Sequence, residues 1–362
     1  MLPSALTARS AIGSIREPTA VPLPSRHLML EELVISPGAH IERVPPPQGQ
    51  IAAAIEELRA GLRDRLPALA ARVSRWMDDI SPNGQAARYF AHPQMFPMLQ
   101  LPSWLAGTIC DERDTAFHAG LVYSTANGYY YIRLLDNLMD GHATVERELL
   151  PAATFFHTEF CGVYQRYFGP YHPFWRLFTR FWLACSESVA KEAALDSMRF
   201  QDFAEISTGK FAAAKIPLSA VACRYRRPDV LPLWLQFCDA LACWTQMLDD
   251  LFDWYDDLER KGCTYLLSEA VRRKSGNESV EAWMMREGFS WGVRCLRDQM
   301  LEVRRLAHKL RCPALVEYLE KREGIVQAEV TEISKGLGSL KELAAVLEWF
   351  EGDSRRRSKY DL

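Results

Sequence analysis

The sequence predicts an all-α protein: a single large helical bundle around a central active-site cavity, preceded by a shorter arm. Three observations carry that expectation. From residue 51 onward apolar side chains recur at spacings of three and four (Ile51, Ile55, Leu58, Leu62, Leu66), the period of one helix face. No alternating apolar–polar run competes as a strand. Nothing after residue 50 has the composition of a linker, so the 362 residues divide into an arm at 1–50 and one helical unit at 51–362.

Taken in order, residues 1–50 are proline-rich and end in Val44-Pro-Pro-Pro-Gln48, which favours an extended chain. The first sixteen residues hold Arg9, Arg16 and no acid, but lack the apolar core of a secretory leader. Helices are then expected at 51–79, 114–141, 145–168, 172–192, 196–222, 230–260, 278–309 and 313–336, with a short last one near 340–351. Pro82-Asn83-Gly84, Gly169-Pro170, Arg227-Pro228, Ser275-Gly276 and Cys312-Pro313 punctuate them. No repeat of the solenoid kind is present.

Composition narrows the class. Hydrophobic residues at 48% are enough for a substantial core, and a net charge of −3 gives no broad attraction for nucleic acid. No apolar run approaches the ~20 residues of a membrane-spanning helix. The nine cysteines are odd in number and contain no Cys-x-x-Cys pair, which argues against a disulfide framework or a zinc site and suits a reducing, cytoplasmic setting.

Two acidic motifs stand out. In Tyr130-Tyr-Ile-Arg133-Leu-Leu-Asp136-Asn-Leu-Met-Asp140, Asp136 and Asp140 share one helix face. In Gln246-Met-Leu-Asp249-Asp250-Leu-Phe-Asp253-Trp-Tyr-Asp256-Asp257, residues Asp249, Asp253 and Asp257 form a ladder at i, i+4 and i+8, while Asp250 and Asp256 are expected to point elsewhere. An acidic run on a helix is commonly a solvated face. Here both runs sit in apolar and aromatic sequence, where unpaired carboxylates are costly. Asp249 also follows Asp136 by 113 residues, far enough for the two helices to oppose each other. Magnesium, a hard ion that takes carboxylate, water and phosphate oxygens, would remove the repulsion, and opposed metal-bearing helices can hold a diphosphate. A di-iron bundle needs Glu-x-x-His pairs, and none of the eight histidines has a glutamate three positions before it.

A diphosphate also needs cations. Arg133 lies one turn before Asp136 and is as well placed for an ion pair with it as for a ligand. Lys210 follows a glycine, Gly209, which can break or kink a helix, and precedes Asp249 by 39 residues, one helix out and one back. Lys215 is a weaker candidate. Arg260 follows the ladder, and the basic tail Arg355-Arg-Arg-Ser-Lys359-Tyr360 is either solvated or a lid over the pocket. Aromatic residues such as Phe178, Trp182 and Trp244 are ordinary core or a cavity lining able to stabilise a carbocation.

These motifs resemble the class I isoprenoid synthase superfamily over roughly residues 110–270. Tyr130-x-x-Arg133-x-x-Asp136-x-x-x-Asp140 is similar to the first motif of squalene and phytoene synthases. Gln246-x-x-Asp249-x-x-x-Asp253-x-x-x-Asp257 is similar to their second, with Asp249 where asparagine is usual. Asp136-Asn-Leu-Met-Asp140 and Gln246-x-x-Asp249-Asp250-x-x-Asp253 also resemble the paired motifs of trans-prenyl diphosphate synthases, in which Lys210 would fall near a diphosphate-contacting lysine. Asp249-Asp250-x-x-Asp253-x-x-x-Asp257 resembles the second metal triad of terpene cyclases, and Lys359-Tyr360 their arginine–tyrosine ending. Asn137 departs from the first paired motif. No Gly-Lys-Arg-x-Arg-Pro-like segment is present beyond the loose echo at 61–67, and no arginine pair follows Asp140 closely.

The resemblance implies a Mg2+ cluster on Asp136, Asp140, Asp249, Asp253 and Asp257, with Arg133, Lys210, Arg260 and Tyr360 holding the diphosphate of a prenyl substrate. The missing acceptor motif favours a one-substrate terpene synthase. A prenyltransferase, elongating or head-to-head, is the alternative, and a non-catalytic subunit of such an enzyme is the further rival. A homodimer is one assembly the resemblance allows.

Overall fold

The computed structural model describes the backbone of residues 48–81, 84–110, 114–139 and 147–357, with side chains from 49 to 337. Those residues form helices and connecting turns, and no strand occurs among them. The proline-rich segment before residue 48 lies outside the described residues.

The helices are α1 (Gln48–Arg65), α2 (Pro67–Asp79), α3 (Ala86–Ala91), α4 (Leu101–Ile109), α5 (Thr115–Met139), α6 (Ala152–Tyr167), α7 (Phe174–Ala193), α8 (Phe200–Lys210), α9 (Lys215–Arg224), α10 (Leu231–Phe252), α11 (Trp254–Glu259), α12 (Tyr265–Arg273), α13 (Val280–Trp283), α14 (Phe289–Leu310) and α15 (Pro313–Arg357). The expected helix at 51–79 is split because Pro67 starts α2: Leu66, forced out of helical geometry before the proline, sits at φ −131° and ψ 55°. The expected helix at 196–222 is broken by a 3-10 turn, Ala212–Ala214, and the expected helix at 230–260 is interrupted at Asp253. The stretch 80–113 and residues 265–273, given no helix by the sequence pattern, carry α3, α4 and α12. The two C-terminal helices expected at 313–336 and 340–351 are one, α15.

Two apolar cores result. The smaller gathers α1, α2 and α3 against α5 and α6 through residues such as Leu58, Leu62, Trp76, Phe90, Tyr130 and Phe156. The larger runs through α4 to α15. α5 serves both: Phe117 and Leu121 belong to the larger core, Val122, Ala126, Tyr130 and Leu134 to the smaller. α10 is the other central helix, packed on α8 and α14 and buried along most of its length. The two acidic motifs sit at the C-terminal ends of these two central helices.

Gly209 positions α8. A Cβ there would lie 1.7 Å from Ser188 Oγ and 2.8 Å from Ser188 Cβ on α7. It therefore does not break the helix, which continues through Lys210; its role is to let α8 approach α7 closely.

Candidate functional site at the ends of two central helices

On α5, Arg133 Nη1 donates to Asp136 Oδ2 at 3.0 Å, with both side chains about two-fifths exposed. Asn137 beside it is buried, and its Oδ1 has no hydrogen-bond partner. Asp140 falls just past the described part of α5, and Tyr360 is likewise outside the described residues.

On α10, the chain bends at Asp253 (φ −102°, ψ 9°) without losing helical register. The Asp253 amide donates to Asp249 O at 2.9 Å and the Asp257 amide to Asp253 O at 2.9 Å. Asp249, Asp253 and Asp257 therefore keep their i, i+4, i+8 spacing across the bend, all partly exposed. Asp250 does not point away to solvent. It is 2% exposed, accepts a 2.9 Å bond from Gln246 Nε2 on Oδ1, and leaves Oδ2 without a partner. Burial pushes its carboxyl up to about 7; the Gln246 bond and Lys210 oppose this, while Asp257 and Asp249 add to it. Asp257 is also pushed up to about 7, by burial first and then by Asp253, with Arg260 opposing and Asp249 and Asp256 adding. Arg260 is exposed at the end of α11 and close enough to act on Asp257.

Lys210 lies within electrostatic reach of both motifs. It ends α8, and its Nζ donates to Glu192 Oε1 of α7 at 2.7 Å, each side chain about one-quarter exposed. Burial works against its charge, but Glu192, then Asp136 and Asp250, outweigh burial and hold the ammonium above its ordinary value. One lysine thus feels a carboxylate from each acidic helix. Cys185 on α7 reports the same neighbourhood: its thiol lies 3.3 Å from Lys210 O and is pushed up to about 11 by burial and then by Asp136, with Lys210 opposing. Lys215 is bound elsewhere, paired with Asp239 and 5.7 Å over the Phe181 ring.

Sequence reading missed three members of this region. Glu192 gave no signal, because its pairing with Lys210 spans two helices. Asp250 lies off the ladder as expected, but its burial against Gln246 gave no local signal. Arg322 on α15, which reads in sequence like any solvated arginine, is wholly buried. Its guanidinium donates to Tyr318 Oη at 2.7 Å, Met95 O at 3.4 Å and Thr245 Oγ1 at 3.1 Å, and lies 4.8 Å over the Trp244 ring. Thr245 is one helical turn before Asp249, so Arg322 braces α10 directly beneath the ladder.

Among the described residues no three His, Cys, Asp or Glu side chains form a ready-made metal cage. The donor set is nevertheless hard oxygen. Carboxylates raised by burial first, and by one another second, suit a divalent ion that takes one or two protein oxygens and completes its shell with water and phosphate.

The chain has the class I isoprenoid synthase fold. Geranylgeranyl pyrophosphate synthetase from the archaeon Geoglobus acetivorans superposes with a TM-score of 0.59 at 13% identity, covering 77% of this chain and 97% of that one. Farnesyl diphosphate synthase of T. brucei, solved with homorisedronate, gives 0.55 at 11% identity over 78% of this chain and 99% of its own. A second T. brucei structure, with an indolylmethyl piperidine amine, gives 0.55 at 12% over 78% and 100%. No protein-family profile and no curated protein sequence matches the chain.

Proposed function

We propose that this chain is a Mg2+-dependent enzyme that ionises an allylic prenyl diphosphate and transfers the prenyl group to a second substrate. The observation that carries the reading is the unbroken i, i+4, i+8 register of Asp249, Asp253 and Asp257 at the end of α10, with Lys210 ending the neighbouring helix α8. Asp249, Asp253 and Asp257 on one side and Asp136, with Asp140, on the other would hold the metal, which supplies positive charge for the departing pyrophosphate. Lys210 donates to a phosphate oxygen, and Arg133, Arg260 and Tyr360 supply further donors. Gln246 fixes Asp250 through its 2.9 Å bond, and Asp250 Oδ2 can carry a proton near neutral pH. The apolar surroundings of α5 and α10 keep water from the cation.

Transfer is preferred over cyclisation on two grounds. The set Gln246-x-x-Asp249-Asp250-x-x-Asp253 is knit together by the Gln246–Asp250 bond. The solved structures of like fold are named as prenyl diphosphate synthases. A specific observation favours the second reading, a one-substrate terpene synthase. Arg65, the best basic residue of the segment that echoes an acceptor-diphosphate motif, pairs with Glu159, which also accepts from Tyr123 Oη at 2.8 Å. That arginine is committed to packing α1 on α5 and α6. The catalytic unit is taken as residues 51–362, with 1–50 as an arm. A cytoplasmic setting is supported by nine free cysteines, and among the described residues no helix is long and apolar enough to cross a membrane.

The test is a product assay with purified protein and Mg2+. Geranyl, farnesyl and geranylgeranyl diphosphates are offered with and without isopentenyl diphosphate, beside an Asp249→Ala control. A longer diphosphate formed only with isopentenyl diphosphate supports elongation. A hydrocarbon or alcohol from one diphosphate alone supports the cyclase. No turnover in any arm, and no Mg2+-dependent diphosphate binding, points to a non-catalytic subunit.

A further inference from the structure

Two basic side chains near the acidic helix ends are held by carboxylates: Arg133 by Asp136 at 3.0 Å and Lys210 by Glu192 at 2.7 Å. The two pairs differ in kind. Asp136 belongs to the acidic motif itself, so a metal arriving there competes with Arg133 directly. Glu192 belongs to neither motif; it projects from the last turn of α7 and pairs with the lysine. Around it, the Cys263 thiol senses Glu192 and Asp196 together with Arg272, which is itself bonded to Glu269, while the adjacent Lys191 is paired with Glu205.

We infer that Glu192 is a built-in anion that occupies the phosphate-binding ammonium of Lys210 until a metal-bound diphosphate displaces it. The inference rests on the reading of the site given above and adds a regulation to it. A free diphosphate approaching Lys210 meets the charges of Asp136 and Glu192, and must also take the place of a charge-assisted hydrogen bond that already exists. Metal held between Asp136 and the ladder would offset the charge of Asp136, and the exchange of one oxyanion for another on Lys210 would then be close to even. The released Glu192 is about one-quarter exposed and can be hydrated where it stands. Diphosphate capture is therefore conditional on metal, and a bare prenyl diphosphate is not held in a form that could be lost to water.

The experiment is calorimetric titration of the full chain with inorganic pyrophosphate, in EDTA and in Mg2+, for wild type, Glu192→Gln, Glu192→Ala and Glu192→Gln/Lys210→Gln. Wild type is expected to bind only with Mg2+. Glu192→Gln and Glu192→Ala are expected to bind metal-free pyrophosphate at least ten-fold more tightly than wild type, and the added Lys210→Gln change is expected to cancel that gain. Equal or weaker metal-free binding in both single variants, with Mg2+-dependent binding intact in wild type, overturns the role of Glu192 alone. A gain that survives Lys210→Gln also overturns it, because the anion is then not landing on the lysine. Absence of pyrophosphate binding in every variant with and without Mg2+ overturns both this role and the reading of the site beneath it.

Discussion

Replacing Gly209 with alanine tests whether the close contact of α8 with α7 places Lys210. The added Cβ would stand 1.7 Å from Ser188 Oγ, 2.8 Å from Ser188 Cβ and 3.3 Å from Ala184 O. Rotation of the serine hydroxyl relieves the first clash only. Two carbons prefer about 3.5–4.0 Å, so the helices must separate by roughly 1 Å at this point. Overpacking of this kind costs about 1–3 kcal/mol, offset by the helix preference of alanine over glycine, worth up to about 1 kcal/mol. With the full offset the net loss of stability is about 0–2 kcal/mol. The larger consequence falls on Lys210, the next residue: a shift on the order of 1 Å in a positioning group can lower turnover about a hundred-fold. Denaturant melts measure the first effect, and Mg2+-dependent pyrophosphate binding with turnover measures the second. Ser188→Gly in the same chain removes the atoms nearest the new methyl and should restore most of the binding. A Gly209→Ala protein with unchanged stability and full activity would refute the claim that this contact sets the lysine.

Three further outcomes follow from the same geometry. Lys210→Gln should weaken Mg2+-pyrophosphate binding roughly 10- to 100-fold, the size of a charged hydrogen bond, with little change in the melting temperature. Asp250, raised to about 7 when folded against 3.8 for an ordinary aspartate, keeps a proton in the native state that the unfolded chain has lost; metal-free protein should therefore lose stability as pH rises from about 4 to about 7, by at most on the order of 4 kcal/mol, and stay level above that. Denaturation in EDTA at pH 5 and pH 8 should show that slope flattened in Asp250→Asn, with the remainder due to Asp257. Arg322→Ala should cost roughly 3 kcal/mol or more, since it empties a buried site and removes the bond to Thr245, whereas Arg322→Met, which loses the same bond but refills the site and leaves Tyr318 on Met95 O, should cost roughly 1–2 kcal/mol less.

The fold was legible because helical periodicity is a local signal. The apolar spacing of α1, the length of α5 and the start of α15 at Pro313 are all readable within a few turns of chain. Its errors have local causes too: Pro67 cuts α1 from α2, and Asp253 bends α10 into α11. α3 and α4 were invisible because they are short, six and nine residues, too few for a period to show. The acidic ladder was equally legible, as its spacing is a property of one helix. What surrounds it was not. Whether Asp250 or Asp249 faces the protein interior depends on which side of α10 meets its neighbours, and the sequence of α10 is apolar on several faces. The Lys210–Glu192 pair and the buried Arg322 depend on contacts between helices 18 and 77 residues apart in sequence, which no window reaches.

The central claim is that the two acidic helix ends and Lys210 form one diphosphate site. A crystal structure with Mg2+ and a thiolo analogue of farnesyl diphosphate, which binds but ionises poorly, tests it most directly. The account predicts metal between Asp136 and the Asp249–Asp253–Asp257 ladder, a phosphate oxygen on Lys210 Nζ, and Glu192 turned away. A diphosphate bound elsewhere, with the Lys210–Glu192 pair intact and no metal on either motif, would contradict it.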